Sequence, residues 1–450
     1  MPHYDVLVIG AGAAGMAAAR ALSAHGLSLA ILEARDRIGG RIFTIRPSGS
    51  GLPVELGAEF VHGRAPETFE LAQASGLTLC ELDGSAWSSS DGRLSEMDDW
   101  GSENGWETVF QAVREWQGED QSLQSFINER FSGKRWAEVR RSVSGYVEGF
   151  DAAEPDQVSV RWLAQTEAAS AAIDGDRQFR FIDGYDRPFW WLRMGLHPEK
   201  TALLLNTVVH TIQWSHGHVE AIAHTALGTA LEPFTAEAAV ITLPLGVLAA
   251  PPDTPRAVQF SPDLPNKRAA IGRLATGHTV KVVLRFREAF WNDSKRSKLP
   301  RLEHLSFLFS DDEIMPTWWT SHPLLTPFLT GWAGGPRAAK LARQSDEAIA
   351  GQALEALARV LHVRRGALEA HLDAWYLHNW SADPYACGAY SYVRAGGMDA
   401  PGQLGAPVDD TLFFAGEATS TDGLTGLVHG ALATGTRAAN EIIAARSAKR

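Results

Sequence analysis

The stretch YDVLVIGAGAAGMAAARALSAHGLSLAILEARDRIGGR, residues 4–41, decides the fold of this chain. It contains an apolar strand, glycines at Gly10, Gly12 and Gly15, a helix of small residues, and a second strand that ends in Glu33. In such a unit the first glycine permits the tight turn, the second lets the backbone approach a pyrophosphate, and the third lets the helix pack on the sheet. Glu33 stands about where a carboxylate binds a ribose 2′-hydroxyl, and it would repel a 2′-phosphate. The stretch therefore predicts an adenine dinucleotide, with FAD and NAD both open.

Size and composition limit the class of protein. The 450 residues exceed what one hydrophobic core usually supports, so two or more domains are expected. No apolar run reaches the ~18 residues of a membrane span, so we expect no membrane partner and a cytoplasmic location. The net charge of −12 argues against a nucleic acid partner. Cys80 and Cys387 provide no disulfide framework and no metal-ligand spacing, so no metal site is predicted.

The order of patterns along the chain predicts an α/β architecture. The fold that opens at Tyr4 is completed by a buried strand at 412–415 and a helix from about 426 to 445. Residues 73–195 show helical periodicity with few strand signals, residues 200–250 alternate like strands, and a further strand reads HTVKVVLRF. We therefore predict a discontinuous Rossmann-type domain in doubly wound form, made of residues 1–72, 198–265 and 405–450. An α+β substrate domain is inserted as residues 73–197 and 266–404.

Six stretches of the chain resemble the flavin-dependent amine oxidase family, which includes monoamine oxidases, polyamine oxidases and the catalytic part of histone lysine demethylases. In motif the chain is most similar to the polyamine oxidases. The stretches are GAGAAG…LEARDRIGGR, VELGAEFVHG (54–63), AAVITLPLGVL (238–248), KVVLRFREAFW (281–291), DPYACGAYSYV (383–393) and LFFAGEATS…LVHGALATGTRAA (412–439). They follow family order and cover nearly the whole chain.

The resemblance implies that the dinucleotide is FAD, in a discontinuous domain of the kind these flavoenzymes share. Arg41 would lie against the diphosphate, Glu417 would accept hydrogen bonds from flavin ribityl or ribose hydroxyls, and the backbone of Val209 would hold the adenine. Ala389 stands where covalent relatives have a cysteine, so the FAD is expected to be non-covalent. The residues implied in cofactor binding are Gly10, Gly12, Ala14, Gly15, Glu33, Ala34, Arg35, Gly40, Arg41, Gly57, Ala58, Glu59, Val209, Gly416, Glu417, Leu427 and Val428.

Lys281 is the first candidate for catalysis. It lies in an apolar strand, where a charge on a buried face is costly unless it is used. A lysine at this place in the family binds a water bridged to flavin N5, so the resemblance implies a role in flavin reoxidation or proton handling. The alternative is an exposed polar edge, because strand alternation puts Lys281, Val283 and Arg285 on one face.

His62 and Glu59 are candidates for contact with the substrate. Acetylpolyamine and spermine oxidases carry a histidine at the position of His62, and a histidine can manage protons near neutral pH. A structural histidine is the alternative. Glu59 could attract a substrate ammonium, lie against the flavin or form a surface pair. Phe60 stands where related amino-acid oxidases place a carboxylate-binding arginine, which argues against amino-acid substrates.

Tyr390 matches one wall of the aromatic cage that orients an amine before the flavin. The second wall falls at Leu427, where monoamine oxidases have tyrosine and demethylases have threonine. A cage of two tyrosines is therefore not expected. A single tyrosine face still suits a cationic or polarised C–N group.

The sequence thus predicts an FAD-dependent oxidase that converts a small amine to an imine and then an aldehyde, with dioxygen reduced to hydrogen peroxide. Polyamines or related alkyl amines are preferred over aromatic monoamines. The alternatives are an amine dehydrogenase that uses another acceptor, an L-amino-acid oxidase, and a flavoprotein subunit without catalytic activity. The expected partners are the amine and dioxygen, and a homodimer is possible.

Overall fold

The structure is a computed structural model, and it describes residues 3–49, 51–97, 105–254, 257–292, 299–300 and 302–448. Its strands within these ranges are β1 His3–Ile9, β2 Leu29–Leu32, β3 Thr44–Ile45, β4 Val54–Glu55, β5 Val61–His62, β6 Leu79–Glu81, β7 Ser85–Ser90, β8 Arg93–Glu96, β9 Gln178–Phe181, β10 Thr201–Leu204, β11 Thr207–Ser215, β12 His218–Thr225, β13 Phe234–Ile241, β14 Gln259–Ser261, β15 Leu274–Thr276, β16 Thr279–Phe286, β17 Leu305–Ser310, β18 Thr317–Trp319, β19 Phe328–Gly334, β20 Leu372–Leu377, β21 Ser391–Val393 and β22 Leu412–Phe414.

The α-helices are α1 Ala13–Ala24, α2 Pro66–Ser75, α3 Trp106–Arg114, α4 Leu123–Arg130, α5 Ala137–Phe150, α6 Val160–Ala171, α7 Arg187–Met194, α8 Leu245–Leu248, α9 Pro265–Ile271, α10 Gly335–Leu341, α11 Asp346–Val360, α12 Arg365–His371, α13 Ala400–Gly405 and α14 Val428–Ala448. Short 3₁₀ helices occupy Lys134–Trp136, Phe290–Asn292 and Glu417–Thr419.

The first sheet is built around β1 and β13. Strands β10, β2, β1 and β13 lie side by side in parallel, and β22 extends the parallel set along the carboxyl-terminal half of β13. The residues from Val6 to Ile9 are almost inaccessible to solvent. Such continuous burial is typical of a parallel sheet that is covered on both faces. The order β1–α1–β2 and the parallel pairing confirm the predicted Rossmann-type α/β fold.

A meander branches from the other half of β13. The amino-terminal residues of β13 pair in antiparallel fashion with β12, and β12 pairs in the same way with β11. Strand β14 pairs with β11 and forms the edge of the sheet. The N–H of Thr207, at the start of β11, donates to the carbonyl of Glu33 at 2.8 Å. The meander therefore brings Val209 to the edge of the sheet where β1 and β2 end.

Helices α1 and α14 pack directly on each other against this sheet. A Cβ on Gly435 of α14 would lie 2.2 Å from the carbonyl oxygen of Ala14 in α1. A Cβ on Gly15 would lie 2.0 Å from the carbonyl oxygen of Gly10. Because neither contact leaves room for a side-chain atom, glycine is required at both positions. The contacts fix the two helices relative to the turn after β1.

A second, mixed sheet has the order β20–β16–β19–β18–β17–β7–β8. Strand β16 pairs with β19 on one side and with β20 on the other, so it is an interior strand. Its residues Val282 and Leu284 belong to the same core as the buried face of α11. Lys281 lies on the opposite face and is only 3% exposed. The alternative of an exposed polar edge at Lys281 is therefore wrong.

Residues 73–195 contain more strands than the sequence pattern indicated. Helices α3 to α6 are present, but β6, β7, β8 and β9 lie in the same region. The segments SAWSSS and RLSE form β7 and β8, and their serines and charges lack the alternating apolar pattern by which a strand is recognised. Strand β9 instead joins β5 and β6 in a separate sheet.

The strands of each sheet come from separated parts of the chain. The first sheet draws on residues 3–32, 201–261 and 412–414, and the second on residues 85–96 and 279–377. Strand β22 ends at Phe414, and α14 runs from Val428 to Ala448, somewhat later than predicted. The predicted domain limits, 1–72, 198–265 and 405–450 against 73–197 and 266–404, stay predictions.

Replacing Gly15 by alanine should destabilise the protein by about 1–3 kcal/mol, because the new methyl group would force α1 away from the turn at Gly10. Chemical denaturation followed by circular dichroism measures this change. The matched control is Gly351→Ala in α11, where the nearest atom to a new Cβ is an Arg365 nitrogen at 3.9 Å. That variant should keep its stability or gain up to about 1 kcal/mol of helix propensity. Equal stability of the two variants would contradict the packing role of Gly15.

Candidate active site

A cavity of about 2060 Å³ is lined by residues from both sheets. The loops after β1, β2 and β13, helices α5, α6 and α14, and strand β16 form its walls. Its volume exceeds the roughly 300–1,000 Å³ of a pocket for one small ligand. The predicted site residues other than Gly15 all line it, and Gly15 instead packs behind the turn.

One end of the cavity is formed by glycine backbone and the start of α1. Gly10 has a φ of +104°, a conformation in which glycine is favoured. Gly12 and Gly40 face each other so closely that a Cβ on Gly40 would lie 3.2 Å from the Cα of Gly12. No side chain in the described part of the chain caps the first turn of α1. Exposed N–H groups and the helix dipole at this end are suited to phosphate oxygens.

Glu33 joins the two turns at this end. Its carboxylate accepts hydrogen bonds from the N–H of Ala11 at 2.7 Å and the N–H of Arg35 at 2.9 Å. Burial raises the pKa of Glu33, and these two donors and the nearby arginines oppose the rise. The carboxylate thus holds the loop after β1 against the loop after β2, while a contact with a ribose hydroxyl stays a prediction.

Arg35, beside Ala34, is committed to partners within the protein. Its guanidinium binds both oxygens of Asp383, at 2.6 and 2.8 Å, and lies 5.5 Å from the ring centre of Tyr385. His378 contacts the same carboxylate at 2.6 Å. These partners hold the pKa of Asp383 far below its usual range against the effect of burial. Arg35 therefore contributes its backbone to the turn after β2 and its side chain to the link with residues 378–385.

Arg41 and Glu417 form an ion pair with an N–O distance of 2.9 Å. Arg41 also donates to the carbonyl of Ala389. The second oxygen of Glu417 accepts hydrogen bonds from the hydroxyl of Ser391 at 2.5 Å and the N–H of Gly426 at 3.0 Å. The sequence assigned Arg41 to the diphosphate and Glu417 to sugar hydroxyls. Both residues line the cavity, and the structure shows that they also bind each other there.

These features fit a bound FAD. The close approach of Gly12 and Gly40 leaves backbone, rather than side chains, facing the place of the diphosphate. Gly416, with a φ of +138°, has open space where a Cβ would stand. Val209 lines the edge expected for the adenine, and Leu427, just before α14, and Val428, its first residue, line the opposite end. The individual contacts of the predicted residues with FAD stay predictions.

Lys281 is part of a buried cluster of charges. Its ammonium lies 2.5 Å from Glu59 Oε2 and donates to the carbonyl of Gly57 at 3.2 Å. The other oxygen of Glu59 receives Arg180 at 3.4 Å and the indole N–H of Trp319 at 3.2 Å. Glu59 is therefore already neutralised by two cations. This pairing argues against the predicted attraction of a substrate ammonium by Glu59.

His62 lies among aromatic rings. Its ring centre is 5.5 Å from that of Phe150 and 6.2 Å from that of Phe60, in edge-on arrangements. Burial lowers the pKa of His62 to about 4, so the imidazole is neutral at physiological pH. Its Nδ1 is buried and has no hydrogen-bond partner among the described residues. The imidazole itself lines the cavity.

Tyr390 occupies the position predicted for a cage wall. Its hydroxyl donates to the carbonyl of Phe150 at 2.5 Å, which fixes the ring, and Leu427 lines the cavity with it. The rings of Phe150 and Tyr146 stack with their centres 5.4 Å apart. The chain thus builds an aromatic wall from α5 and Tyr390, without a tyrosine at position 427.

Sequence reasoning missed Asp151 and Arg180. Asp151 follows the last turn of α5 and lines the cavity, and it reads in the sequence as an ordinary acid at the end of an amphipathic helix. Arg180 is in β9, where an arginine in a short strand suggests an exposed face, yet it is 7% exposed. An arginine between the phenylalanines of QFRF was the available signal.

Neither a metal site nor a membrane-spanning helix is found among the described residues. In the described ranges, no group of three or more histidine, cysteine, aspartate or glutamate side chains is arranged to hold a metal ion. Of the helices that the structure describes, none has the length and apolar character needed to cross a bilayer.

Comparison with known sequences identifies the family. The sequence model of the flavin containing amine oxidoreductases matches residues 13–443. Polyamine oxidase 3 of Oryza sativa subsp. japonica is 31% identical, over 97% of this chain and 88% of its own length. Polyamine oxidase 2 of Arabidopsis thaliana is also 31% identical, over 97% of this chain and 87% of its own length.

Solved structures share the fold. Putrescine oxidase bound to putrescine superposes with a TM-score of 0.78 at 22% identity, covering 98% of this chain and 99% of that one. Cyclohexylamine oxidase from Brevibacterium oxydans gives a TM-score of 0.80 at 22% identity, with both chains fully covered. The family match confirms the predicted FAD cofactor and enzyme class. The chain therefore belongs to the flavin-containing amine oxidoreductases and is an FAD-dependent enzyme that oxidises amines.

Proposed function

We propose that this protein oxidises a C–N bond of a polyamine or a related alkyl amine and passes the electrons to dioxygen. The amine, dioxygen and water give an aldehyde, the released amine or ammonia, and hydrogen peroxide. The proposal depends above all on Asp151, a buried carboxylate in the cavity wall. No cation within the described residues forms an ion pair with it.

Asp151 offers a site for a substrate ammonium. It is 8% exposed, and burial together with the carboxylate of Glu167 raises its pKa well above the ordinary value. A buried carboxylate without a counter-charge is unfavourable, and an alkylammonium group would supply that charge. The stacked rings of Tyr146 and Phe150 beside it suit an alkyl chain and a nearby cation.

His62 provides a different environment in the same cavity. The carbon that loses hydride must adjoin an uncharged nitrogen, and a neutral imidazole can hydrogen-bond such a nitrogen without bringing a second positive charge to it. Because the pKa of His62 is lowered to about 4, the imidazole is available for this role over the physiological range. A substrate with two nitrogens, one neutral and one charged, matches His62 and Asp151 better than a monoamine does.

FAD supplies the redox chemistry, accepting hydride and returning the electrons to dioxygen. The Gly10–Gly12 turn and the start of α1 would hold its diphosphate, Glu33 would bind a ribose, and Lys281 would lie at the flavin. The protein's own contribution is to orient the reacting C–H bond and to exclude water with the aromatic walls.

An L-amino-acid substrate is disfavoured by Arg180. This buried arginine lies 5.4 Å from the ring centre of Phe60, which holds the position predicted for carboxylate binding in related amino-acid oxidases. It pairs with Glu59 at 3.4 Å and is held behind the cavity wall. It is therefore not presented to a substrate carboxylate.

Anaerobic titration tests the proposal directly. Flavin absorbance is followed while putrescine, spermidine, spermine, their N-acetyl forms, butylamine and benzylamine are added one at a time. We expect bleaching by the di- and polyamines at the lowest concentrations, and recovery with formation of hydrogen peroxide when air is admitted. Bleaching without recovery in air would indicate a dehydrogenase that uses another acceptor. Selective bleaching by benzylamine would exclude the polyamine assignment.

Replacing Asp151 by asparagine should lower kcat/KM for a diamine by about 10- to 100-fold, the equivalent of the ~1.5–3 kcal/mol of a charged hydrogen bond. The value for butylamine should stay nearly unchanged, because a monoamine has no second ammonium. Steady-state oxygen consumption measures both. Asp156→Asn, at an exposed acid on the same segment, is the control and should behave like the unmodified protein. A parallel loss for both amines would contradict the assignment of Asp151.

Replacing His62 by glutamine should slow flavin reduction by about tenfold, as expected for the loss of one positioned neutral hydrogen bond. Since the pKa of His62 is lowered to about 4, its protonated form is absent above about pH 6, and the substitution should neither add nor remove a break in the rate profile between pH 6 and 9. Anaerobic stopped-flow measurement gives this profile. His429→Gln removes another buried imidazole and serves as the control for packing. A break that disappears in the His62 variant would show that the imidazole titrates in this range.

A further inference from the structure

The cluster around Lys281 contains an acid that the mechanism above leaves without a role. Glu59 is buried with Lys281, Arg180 and Trp319, and it contacts all three. Lys281 and Glu59 line the cavity, whereas Arg180 stands behind them. The three charged side chains therefore form a chain of ion pairs that leads from the protein interior to the cavity.

We propose that Glu59 is a positioning residue that fixes the ammonium of Lys281 on the side of the cavity predicted for the flavin. The carboxylate of Glu59 binds Lys281 through one oxygen and Arg180 and Trp319 through the other, so its orientation is fixed. The ammonium of Lys281 is held from a second side by the carbonyl of Gly57, at 3.2 Å. An ammonium has three donors, and these two contacts leave one for a group in the cavity.

The electrostatics of the cluster support this assignment. Burial raises the pKa of Glu59, but Lys281 and Arg180 more than offset this effect, so the pKa lies below its ordinary value and the carboxylate is ionised. A buried ammonium without such a partner favours its neutral amine form. In the absence of Glu59, Lys281 would also face the positive charge of Arg180 with no anion between them.

Glu55 is the second carboxyl group near Lys281. It accepts hydrogen bonds from the Thr44 hydroxyl at 2.7 Å and the Tyr185 N–H at 2.8 Å. Burial raises the pKa of Glu55 to about 7, and Glu59 adds to the rise while Lys281 opposes it. The phenol of Tyr185 stays protonated, because burial raises its pKa. Glu55 is thus partly neutral at physiological pH, and Glu59 is the carboxylate that balances Lys281.

The test compares Glu59→Gln with the unmodified holoenzyme. The chain has only eight lysines, so the side-chain resonances of labelled lysine can be resolved, and the Lys281 signal is identified by its loss in Lys281→Met. We expect the Lys281 ammonium resonance to move in Glu59→Gln and its protons to exchange with water about tenfold faster, because the contact with the carboxylate is lost. This readout requires no substrate, so it stands or fails independently of the polyamine proposal.

Flavin reoxidation provides the second readout. In Glu59→Gln the rate of reaction of reduced enzyme with dioxygen should fall by about tenfold, a change that one displaced charge can produce. The rate of flavin reduction by a given amine should change by less than about threefold. A residue with a merely structural role would affect both steps alike.

Glu55→Gln is the matched control, since it removes a nearby buried carboxyl group that does not contact Lys281. The Lys281 ammonium resonance and the exchange of its protons should stay as in the unmodified protein. If Glu59→Gln does not fold, Glu59→Asp keeps the charge on a shorter side chain, and the exchange rate should be intermediate. An unchanged Lys281 resonance and exchange rate in both Glu59 variants would overturn the proposal.

Discussion

The close packing of α1 on the turn after β1 is the contact on which the cofactor end of the cavity depends. Gly15 allows the helix to approach the carbonyl of Gly10, and Gly435 allows α14 to approach Ala14. These approaches leave the start of each helix at the same cavity, beside the carboxyl edge of a parallel sheet. Ligands of doubly wound sheets bind at this edge because helix amides and loop backbone are concentrated there. A side chain at Gly15 would push α1 away from the turn after β1, and one at Gly435 would separate α14 from α1.

The buried charges around the cavity form ion pairs between residues that are far apart in the sequence. Arg35 binds Asp383, Arg41 binds Glu417, and Glu59 lies between Lys281 and Arg180. Because each pair joins residues distant in sequence, the ion pairs hold separate segments of the chain around the cavity. Removing one partner would leave an uncompensated buried charge, a far larger penalty than the net worth of the pair.

The sequence predicted the parts of the site that depend on the backbone and on short motifs. The turn at Gly10, the acid at Glu33 and the strand that carries Lys281 are determined within a few residues, and all lie where the motifs placed them. It could not predict which charges meet across the fold. Glu59 and Lys281 are separated by more than two hundred residues, and no local pattern pairs them. Asp151 was not predicted for the same reason, since an acid can be recognised as buried and without an ion-pair partner only when its surroundings are known. Strands β7 and β8 were missed because their polar residues carry no apolar period.

The distribution of charge in the cavity also bears on how a substrate would be oriented. The cluster of Lys281, Arg180 and Glu59 carries one net positive charge when its members are ionised, and it lies on the side predicted for the flavin. At Asp151 a buried acid without a counter-charge stands instead, ready to ionise when an ammonium binds, and burial together with nearby Glu107 and Asp176 raises the pKa of Glu167 despite the opposing effect of Arg114. An ammonium is repelled by the first region and attracted by the second. A diamine that binds under these two fields would direct its charged nitrogen to Asp151. Its other nitrogen would lie at the flavin, where the positive cluster favours the uncharged form from which hydride can leave.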